Sequence, residues 1–178
     1  PVEISYDPSP AASGSFATPS GMDALLSHAA AVVRRVLVED VGSVLVFLPG
    51  QGEIRRLAER LHHLPDDVSL HPLYGDLSSS AQDAAMAPAA CGRRKVVLST
   101  ALAETSLTIE GIRIVVDCGL ARSSRFSPAT GMSALVTTRV TQDAADQRAV
   151  GAGRLEPGRP GRLWAEGAAL LPSRRPGN

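Results

Sequence analysis

Six polar side chains in the middle of the chain have types and spacing suited to ligand binding. They follow two short apolar runs, residues 96–98 and 112–116, or lie between them, and both runs are typical of β-strands. In an open parallel sheet the ligand crevice lies just beyond the strand ends, so polar residues there are the first candidates for chemistry. These candidates are Ser99, Thr100, Glu104, Thr105, Thr108 and Asp117.

A second segment, QRAVGAGR at 147–154, suits contact with a phosphoryl group. It carries Arg148 and Arg154 among glycines. A guanidinium is planar, permanently charged and able to donate two parallel hydrogen bonds to phosphate. Arginine supplied to a transferring phosphate typically changes the rate by ~10³–10⁵. The alternative interpretation is a helix end with solvated arginines, and this segment alone does not decide between the two.

Four short loops would position such residues, because each follows a predicted strand. They are PGQG at 49–52, GD at 75–76, STA at 99–101 and DCG at 117–119. Glycines let backbone N–H groups approach a phosphate, and hydroxyl groups add further donors. Each loop alone is explained by ordinary turn chemistry. Their coincidence on one rim of a sheet predicts a binding site for a polyanion.

The order of elements predicts an α/β fold. Apolar periodicity indicates strands at 1–6, 43–48, 68–74, 95–98, 112–116 and 161–164, and helices at 22–39, 54–64, 78–86 and 142–149, with a loop at 7–21. Ser78 or Ser79 is a plausible cap of the third helix. This alternation favours a mostly parallel sheet with helices on both faces. Residues 123–140 break it, and two runs around a Pro-Ala-Thr-Gly turn predict a projecting β-hairpin.

Composition limits the classes of function. The 178 residues are ample for one domain spanning 1–178, and 18 basic residues balance 18 acidic ones, so net charge is silent on nucleic acid. The two cysteines, Cys91 and Cys118, are too few for a disulfide framework or a zinc site and predict reduced thiols without a disulfide partner. No apolar run approaches the ~20 residues that span a bilayer. We therefore expect a soluble, cytoplasmic protein without membrane contact.

Taken together, the motifs resemble the second RecA-like domain of DEAH-box ATP-dependent RNA helicases, and most of all the bacterial HrpB type. The resemblance runs from residue 1 to about 164 and is carried by five segments. They are LVFLPGQGEI (45–54), LYGDLS (73–78), KVVLSTALAETSLTIEGIRIVVDCGLAR (95–122), RFSPATGMSALVTTRV (125–140) and QRAVGAGRLEPGRPGRLW (147–164). It implies a RecA-like helicase C-terminal domain of the P-loop NTPase type, with the hairpin guiding the separating strand.

The resemblance also implies a role for individual residues. Gly50, Gln51, Thr100 and Ala101 match positions that hold the RNA backbone, which implies contact independent of base sequence. A single strand of RNA is thus one expected partner. The first RecA-like domain of the same protein is the other.

ATP and Mg²⁺ are the cofactors that the family implies for the full-length protein. Thr108 and Glu110 match the pair that meets the ribose, and Gln147, Arg148 and Arg154 match the motif that faces the phosphates. Met86 lies near a position that contacts adenine in some relatives. Core packing is the alternative for this methionine.

The sequence departs from the family pattern at three positions. The arginine motif of the family is Gln-Arg-Ala-Gly-Arg-Ala-Gly-Arg, but Val150 and Gly151 stand where it has Gly and the middle Arg. Loss of that arginine implies weakened hydrolysis. Ala101 replaces the usual Asn, which removes one possible hydrogen bond to RNA.

Two motifs of a complete ATPase site are absent from these 178 residues. There is no G-x-x-x-x-G-K-[ST] phosphate loop and no Asp-Glu-Ala-His motif, and in the family both belong to the first domain. We therefore expect a piece of a longer protein that does not hydrolyse ATP by itself. Two alternatives stay open: a binding module without turnover, and an unrelated nucleotide-binding α/β domain. The latter needs a G-x-G-x-x-G turn that PGQGEI does not supply.

Overall fold

The structure is a computed structural model, and it describes residues 5–6, 19–100, 109, 111–140, 146 and 159–162. The elements in this part of the chain alternate as the sequence predicts. In chain order they are β1 (Ser5–Tyr6), α1 (Pro19–Glu39), β2 (Ser43–Phe47), α2 (Gln51–Arg60), β3 (Val68–Leu73), α3 (Ser79–Met86), β4 (Arg94–Ser99), β5 (Ile112–Asp117), β6 (Leu120–Ser127), β7 (Met132–Arg139) and β8 (Arg159–Arg162).

The strands form one parallel sheet and one separate hairpin. The sheet has the order β1-β8-β5-β2-β4-β3, and every pairing in it is parallel. Strand β2 lies at its centre and is buried along its whole length, as its unbroken apolar run predicts. Strands β6 and β7 pair antiparallel. The predictions of a parallel α/β sheet and of a hairpin are confirmed.

Successive residues of the central strands face two different apolar layers. Val44 and Val46 of β2 belong to a core that also contains Leu26 of α1 and Leu57 of α2. Leu45 and Phe47 face a second, smaller core on the other side, which contains Ala85 of α3. The period of two along a strand thus places α1 and α2 on one face of the sheet and α3 on the other.

Three cations hold the carboxyl ends of α1, α2 and α3. Arg94 donates to three carbonyl oxygens at and just beyond the end of α1, at 2.6 to 2.9 Å. Lys95 donates to two carbonyls at the end of α3, and Arg34 donates to two at the end of α2 at 2.7 and 3.0 Å. These groups satisfy carbonyls that lack a partner within their helix and favour the negative end of its dipole.

Element bounds differ from the predictions at several places. Helix α2 covers Gln51–Arg60 rather than 54–64, so Gln51 and Gly52 of the predicted turn are its first residues. Helix α1 begins at Pro19, inside the predicted 7–21 loop, because proline has no N–H to lose and its fixed φ suits a first helical turn. The hairpin begins at Leu120, where pairing with Arg139 starts, rather than at 123. The last strand covers 159–162 instead of 161–164. Most of the predicted helix at 142–149 lies outside the described residues.

Within the described part of the chain, no helix is both long enough and apolar enough to cross a membrane. Of the two thiols, Cys91 is exposed and Cys118 is buried in the larger core.

Candidate nucleic-acid interface

Three of the four predicted strand-end loops meet at one cleft of about 720 Å³. The loops after β2, β3 and β4 form its walls, and the hairpin closes one side. The cleft therefore lies at the carboxyl edge of the parallel sheet, where the strand-end argument places a ligand site. Its lining residues are Pro49, Gly50, Gln51, Gly52, Tyr74, Gly75, Asp76, Thr100, Arg122 and Leu135.

The loop after β2 carries the first helical turn of α2 to the cleft. Gly50 is the N-cap residue, with an extended backbone at φ −167°, and it has no side chain to cap the helix. The first amides of a helix lack partners within it, and the positive end of the helix dipole favours an anion. Gln51 also donates from Nε2 to Asp76 Oδ2 at 2.9 Å, which links the loops after β2 and β3.

The loop after β4 presents one of its two hydroxyl residues to the cleft. Thr100 lines the cleft, and its backbone N–H donates to the carbonyl of Leu73 at 3.4 Å. Ser99 is fully buried, and its hydroxyl donates to the carbonyl oxygen of Thr100 at 2.9 Å. Hydrogen bonds to the backbone N–H and carbonyl groups of Thr100 thus hold this residue in place. The hydroxyl of Ser99 is buried and makes one of these bonds.

The fourth loop, after β5, does not line the cleft. Asp117 is buried, and its Oδ1 accepts a hydrogen bond from the backbone N–H of Gly119 at 2.8 Å. Gly119 has φ +73°, a left-handed conformation that glycine adopts without strain. The carboxylate therefore shapes the tight turn that leads from β5 into β6.

Arg122, which lines the cleft, and its buried partner Glu53 were not among the predicted site residues. Arg122 of β6 lines the cleft, and its Nη2 donates to Glu53 Oε1 of α2 at 2.7 Å. Glu53 is buried beneath the loop after β2. Leu135 and Tyr74 were also missed. The signal for Arg122 is weak: it follows the DCG turn by three residues, and sequence does not show which way its side chain points.

The cleft is rich in hydrogen-bond donors. The guanidinium of Arg122, the amide of Gln51, the hydroxyl of Thr100 and the first-turn amides of α2 can all donate. Asp76 brings the opposite charge, but its Oδ2 already accepts from Gln51. Such a set fits a phosphate or another anion.

The remaining predicted site residues fall elsewhere. Met86 ends α3 and is partly buried against the smaller core. The others lie outside the described residues: Ala101, Glu104, Thr105, Thr108, Glu110, Gln147, Arg148 and Arg154. Among the residues that the structure describes, no group of three His, Cys, Asp or Glu side chains is placed to hold a metal ion.

Comparison with known families gives a match over residues 27–155 to the family described as "Helicase conserved C-terminal domain". The chain is 55% identical over 130 residues to the ATP-dependent RNA helicase HrpB of Escherichia coli K12, covering 72% of this chain and 16% of that protein. It is 41% identical over 184 residues to the pre-mRNA-splicing factor ATP-dependent RNA helicase prp22 of Schizosaccharomyces pombe, covering 97% of this chain and 15% of that protein.

Solved structures agree with these sequence matches. The crystal structure of the Escherichia coli DEAH/RHA helicase HrpB superposes with a TM-score of 0.85 at 47% identity, over 99% of this chain and 22% of that one. A crystal structure of the E. coli DExH-box NTPase HrpB gives 0.81 at 50% identity, over 93% and 19%. The chain thus spans about a fifth of either solved chain.

Proposed function

This chain belongs to the helicase conserved C-terminal domain family, and we propose on that premise that it is one half of the ATP-driven motor of an RNA helicase. The predicted resemblance to the second RecA-like domain of HrpB-type DEAH-box helicases is confirmed by the sequence and structure matches. The activity of the whole protein is our proposal, since the chain covers only 16% of the E. coli helicase that it resembles.

The cleft at the carboxyl edge of the sheet holds the backbone of single-stranded RNA. The observation that supports this assignment is the convergence of Gly50, Gln51 and Thr100 in one cleft, because family resemblance gives all three a role in RNA contact. Arg122 joins them from the hairpin and supplies a positive charge. Donors that face phosphate and sugar fix the register of a strand but carry no information about its bases. Binding is therefore independent of sequence.

The nucleotide contacts of this half come from the segments around 108–110 and 147–154. Thr108 and Glu110 hold the ribose, while Gln147, Arg148 and Arg154 face the phosphates. Met86 is the candidate for contact with the adenine. ATP, when bound between this domain and the first RecA-like domain, supplies the free energy that opens and closes the pair. The phosphate loop and the Mg²⁺ ligands belong to that first domain.

Closure and reopening move the RNA grip along one strand from 3′ to 5′, and the hairpin of β6 and β7 guides the strand that separates.

A second candidate function rests on one sequence feature. Gly151 stands where the family has the middle arginine, so the intact protein would clamp RNA or a partner with little hydrolysis. Restoring the arginine in the full-length protein separates the two functions: Gly151→Arg raises its RNA-stimulated ATP hydrolysis by ~10³ or more if the missing group limits turnover, and leaves it unchanged in a helicase that is already active.

Binding of a fluorescein-labelled oligouridine to this 178-residue chain tests the RNA assignment. Fluorescence anisotropy across a series of KCl concentrations should show weak binding that falls steeply with salt, with a slope of about −0.7 per phosphate contact. Gln51→Ala and Thr100→Ala should weaken binding, whereas Glu59→Gln, at an exposed position of α2, should not. Absence of binding even at low salt contradicts an RNA role for this half.

A second experiment tests the division of the ATPase site between two domains. The chain is mixed with ATP and Mg²⁺, and released phosphate is measured with and without RNA. We expect no turnover above background, because the phosphate loop and the acidic motif are absent from its sequence. Robust turnover would show that this chain carries a complete site.

A further inference from the structure

The ion pair between Arg122 and Glu53 joins the hairpin to helix α2 at the wall of the cleft. Its Nη2–Oε1 distance is 2.7 Å, and the partners are 69 residues apart in the chain. It links a strand of the hairpin, β6, to the first turn of α2. The ion pair therefore connects two elements that are distant in sequence, at the place where the RNA strand is proposed to lie.

The two partners differ in burial. The side chain of Glu53 is 9% exposed, whereas that of Arg122 is 31% exposed. Burying a carboxylate without a compensating cation costs several kcal/mol, so Glu53 depends on its partner. Arg122 has five N–H donors and keeps part of its guanidinium at the cleft surface. One partner thus serves as an interior anchor, and the other remains able to meet a ligand.

The guanidinium also packs against the backbone of Gly50. A Cβ atom built on Gly50 would lie 2.4 Å from Arg122 Nη1 and 3.0 Å from Glu53 Oε2. Within the described part of the chain, Oε2 is buried and has no hydrogen-bond donor, so the pair is joined by one bond rather than by a fork. A single bond and one close backbone contact fix the direction of the guanidinium, and its other N–H groups have no acceptor among the residues that the structure describes.

We propose that Glu53 is a positioning residue for RNA binding, which holds the guanidinium of Arg122 toward the phosphate backbone without touching RNA itself. This inference rests on the proposed function of the cleft. A carboxylate next to a phosphate site would otherwise repel the ligand. Its pairing with the Arg122 guanidinium offsets that repulsion, and its place in the first turn of α2 is favourable for a negative charge.

The substitution Glu53→Gln removes the charge and keeps the size of the side chain. A simple charge effect and a positioning role predict opposite changes in RNA affinity for this variant. Removing a negative charge near the cleft would tighten RNA binding, whereas releasing Arg122 weakens it. We expect weakening by about threefold to tenfold, measured by anisotropy with oligouridine. Glu59→Gln is the matched control, because it makes the same charge change at an exposed position of the same helix.

A double variant isolates the route through Arg122. Arg122→Gln should weaken binding by roughly tenfold and reduce the salt slope by about 0.7, the value for one phosphate contact on a single strand. Glu53→Gln should add nothing in that background, since its effect requires the arginine. The inference is overturned if Glu53→Gln tightens binding, or if it weakens binding equally with and without Arg122.

A measurement without RNA separates this inference from the proposed function. The Nε–H signal of Arg122 in a ¹⁵N spectrum should show a high heteronuclear NOE in the wild-type chain and a low one in Glu53→Gln, with Glu59→Gln unchanged. An Arg122 signal that is equally mobile in wild type and Glu53→Gln refutes the positioning role. If the wild-type chain binds no RNA while Glu53 still orders Arg122, the RNA assignment of the cleft fails instead.

Discussion

The side-chain amide of Gln51 donates to Asp76 Oδ2 at 2.9 Å, so the loops after β2 and β3 are joined at the cleft. Both side chains are near the surface, and the bond spans 25 residues of sequence. Asp76 lines the cleft and carries a negative charge, so it would oppose a phosphate bound there as proposed.

Asp76→Asn should therefore tighten RNA binding by roughly twofold to fivefold at low salt, as expected for removal of one like charge near a phosphate in a solvated site. Asparagine keeps an oxygen that can accept from Gln51, so the loops stay linked. The measurement is anisotropy at two salt concentrations, and the gain should shrink at the higher one. Asp66→Asn, an exposed change outside the cleft lining, is the control. Weaker binding by Asp76→Asn would contradict a repulsive role.

Gly50→Ala and Gly52→Ala should have opposite effects on stability. An added Cβ at Gly50 would meet the Arg122 guanidinium at 2.4 Å, while nothing lies within 4 Å of the corresponding position at Gly52. We expect Gly50→Ala to displace Arg122 and destabilise the chain by about 1–3 kcal/mol, because Glu53 is left buried without its partner. Gly52→Ala should stabilise it by about 0.4–1 kcal/mol through the unfolded state.

Urea unfolding measures both glycine variants. Since Gly50 has an extended φ, any loss of stability there reflects the close contact and not backbone strain. Equal stability of the two variants would show that the guanidinium moves aside freely.

Neighbouring arginines at the start of β4 should differ sharply in their contribution to stability. Arg94 makes three hydrogen bonds to carbonyls near the end of α1, whereas exposed Arg93 makes one to the carbonyl of Asp66 at 3.3 Å. Arg94→Met should lower the free energy of unfolding by about 2–3 kcal/mol, and Arg93→Met by less than about 0.5 kcal/mol. Similar losses in urea unfolding would contradict a specific role of Arg94 in capping the helix.

Acid should destabilise the fold through His71. Burial lowers the pKa of His71 below its usual 6.5, and the charge of Lys95 lowers it further. The unfolded chain then binds more protons than the folded chain as pH falls through about 6.5, so the free energy of unfolding decreases. We expect wild type to lose more stability between pH 7.5 and pH 5.5 than His71→Gln. Thermal unfolding of both proteins across this pH range measures the difference. If wild type and His71→Gln lose the same stability, His71 does not contribute to the acid sensitivity.

Local patterns were enough to predict most of the fold. The unbroken run SVLVF indicated the buried strand β2, and Ser78 does accept a hydrogen bond from the Ala81 N–H at the start of α3. The missed start of α1 at Pro19 has a physical reason: apolar periodicity begins only at Met22, while proline marks a first turn by its geometry. The early start of β6 was missed because two residues after Asp117 are enough to connect β5 to β6.

The cleft was predicted only in part. Its loops can be recognised from a few neighbouring residues, whereas its ion pair joins residues that are far apart in sequence. Gly50, Gln51 and Thr100 follow strands, so their common edge can be inferred from the fold class. The pairing of Arg122 with Glu53 depends on how a hairpin sits against a helix 69 residues away in sequence. No periodicity encodes that relationship, and a buried glutamate in the first turn of a helix looks like an ordinary surface residue in sequence.

The cations that hold the helix ends act at the edge of the sheet opposite the cleft. Arg94 and Lys95 begin β4, whereas Thr100 follows its end. One strand thus carries a helix-holding cation at its start and a cleft hydroxyl at its end, so a substitution at Thr100 can change ligand contact while the bonds of Arg94 and Lys95 to the helix ends stay intact.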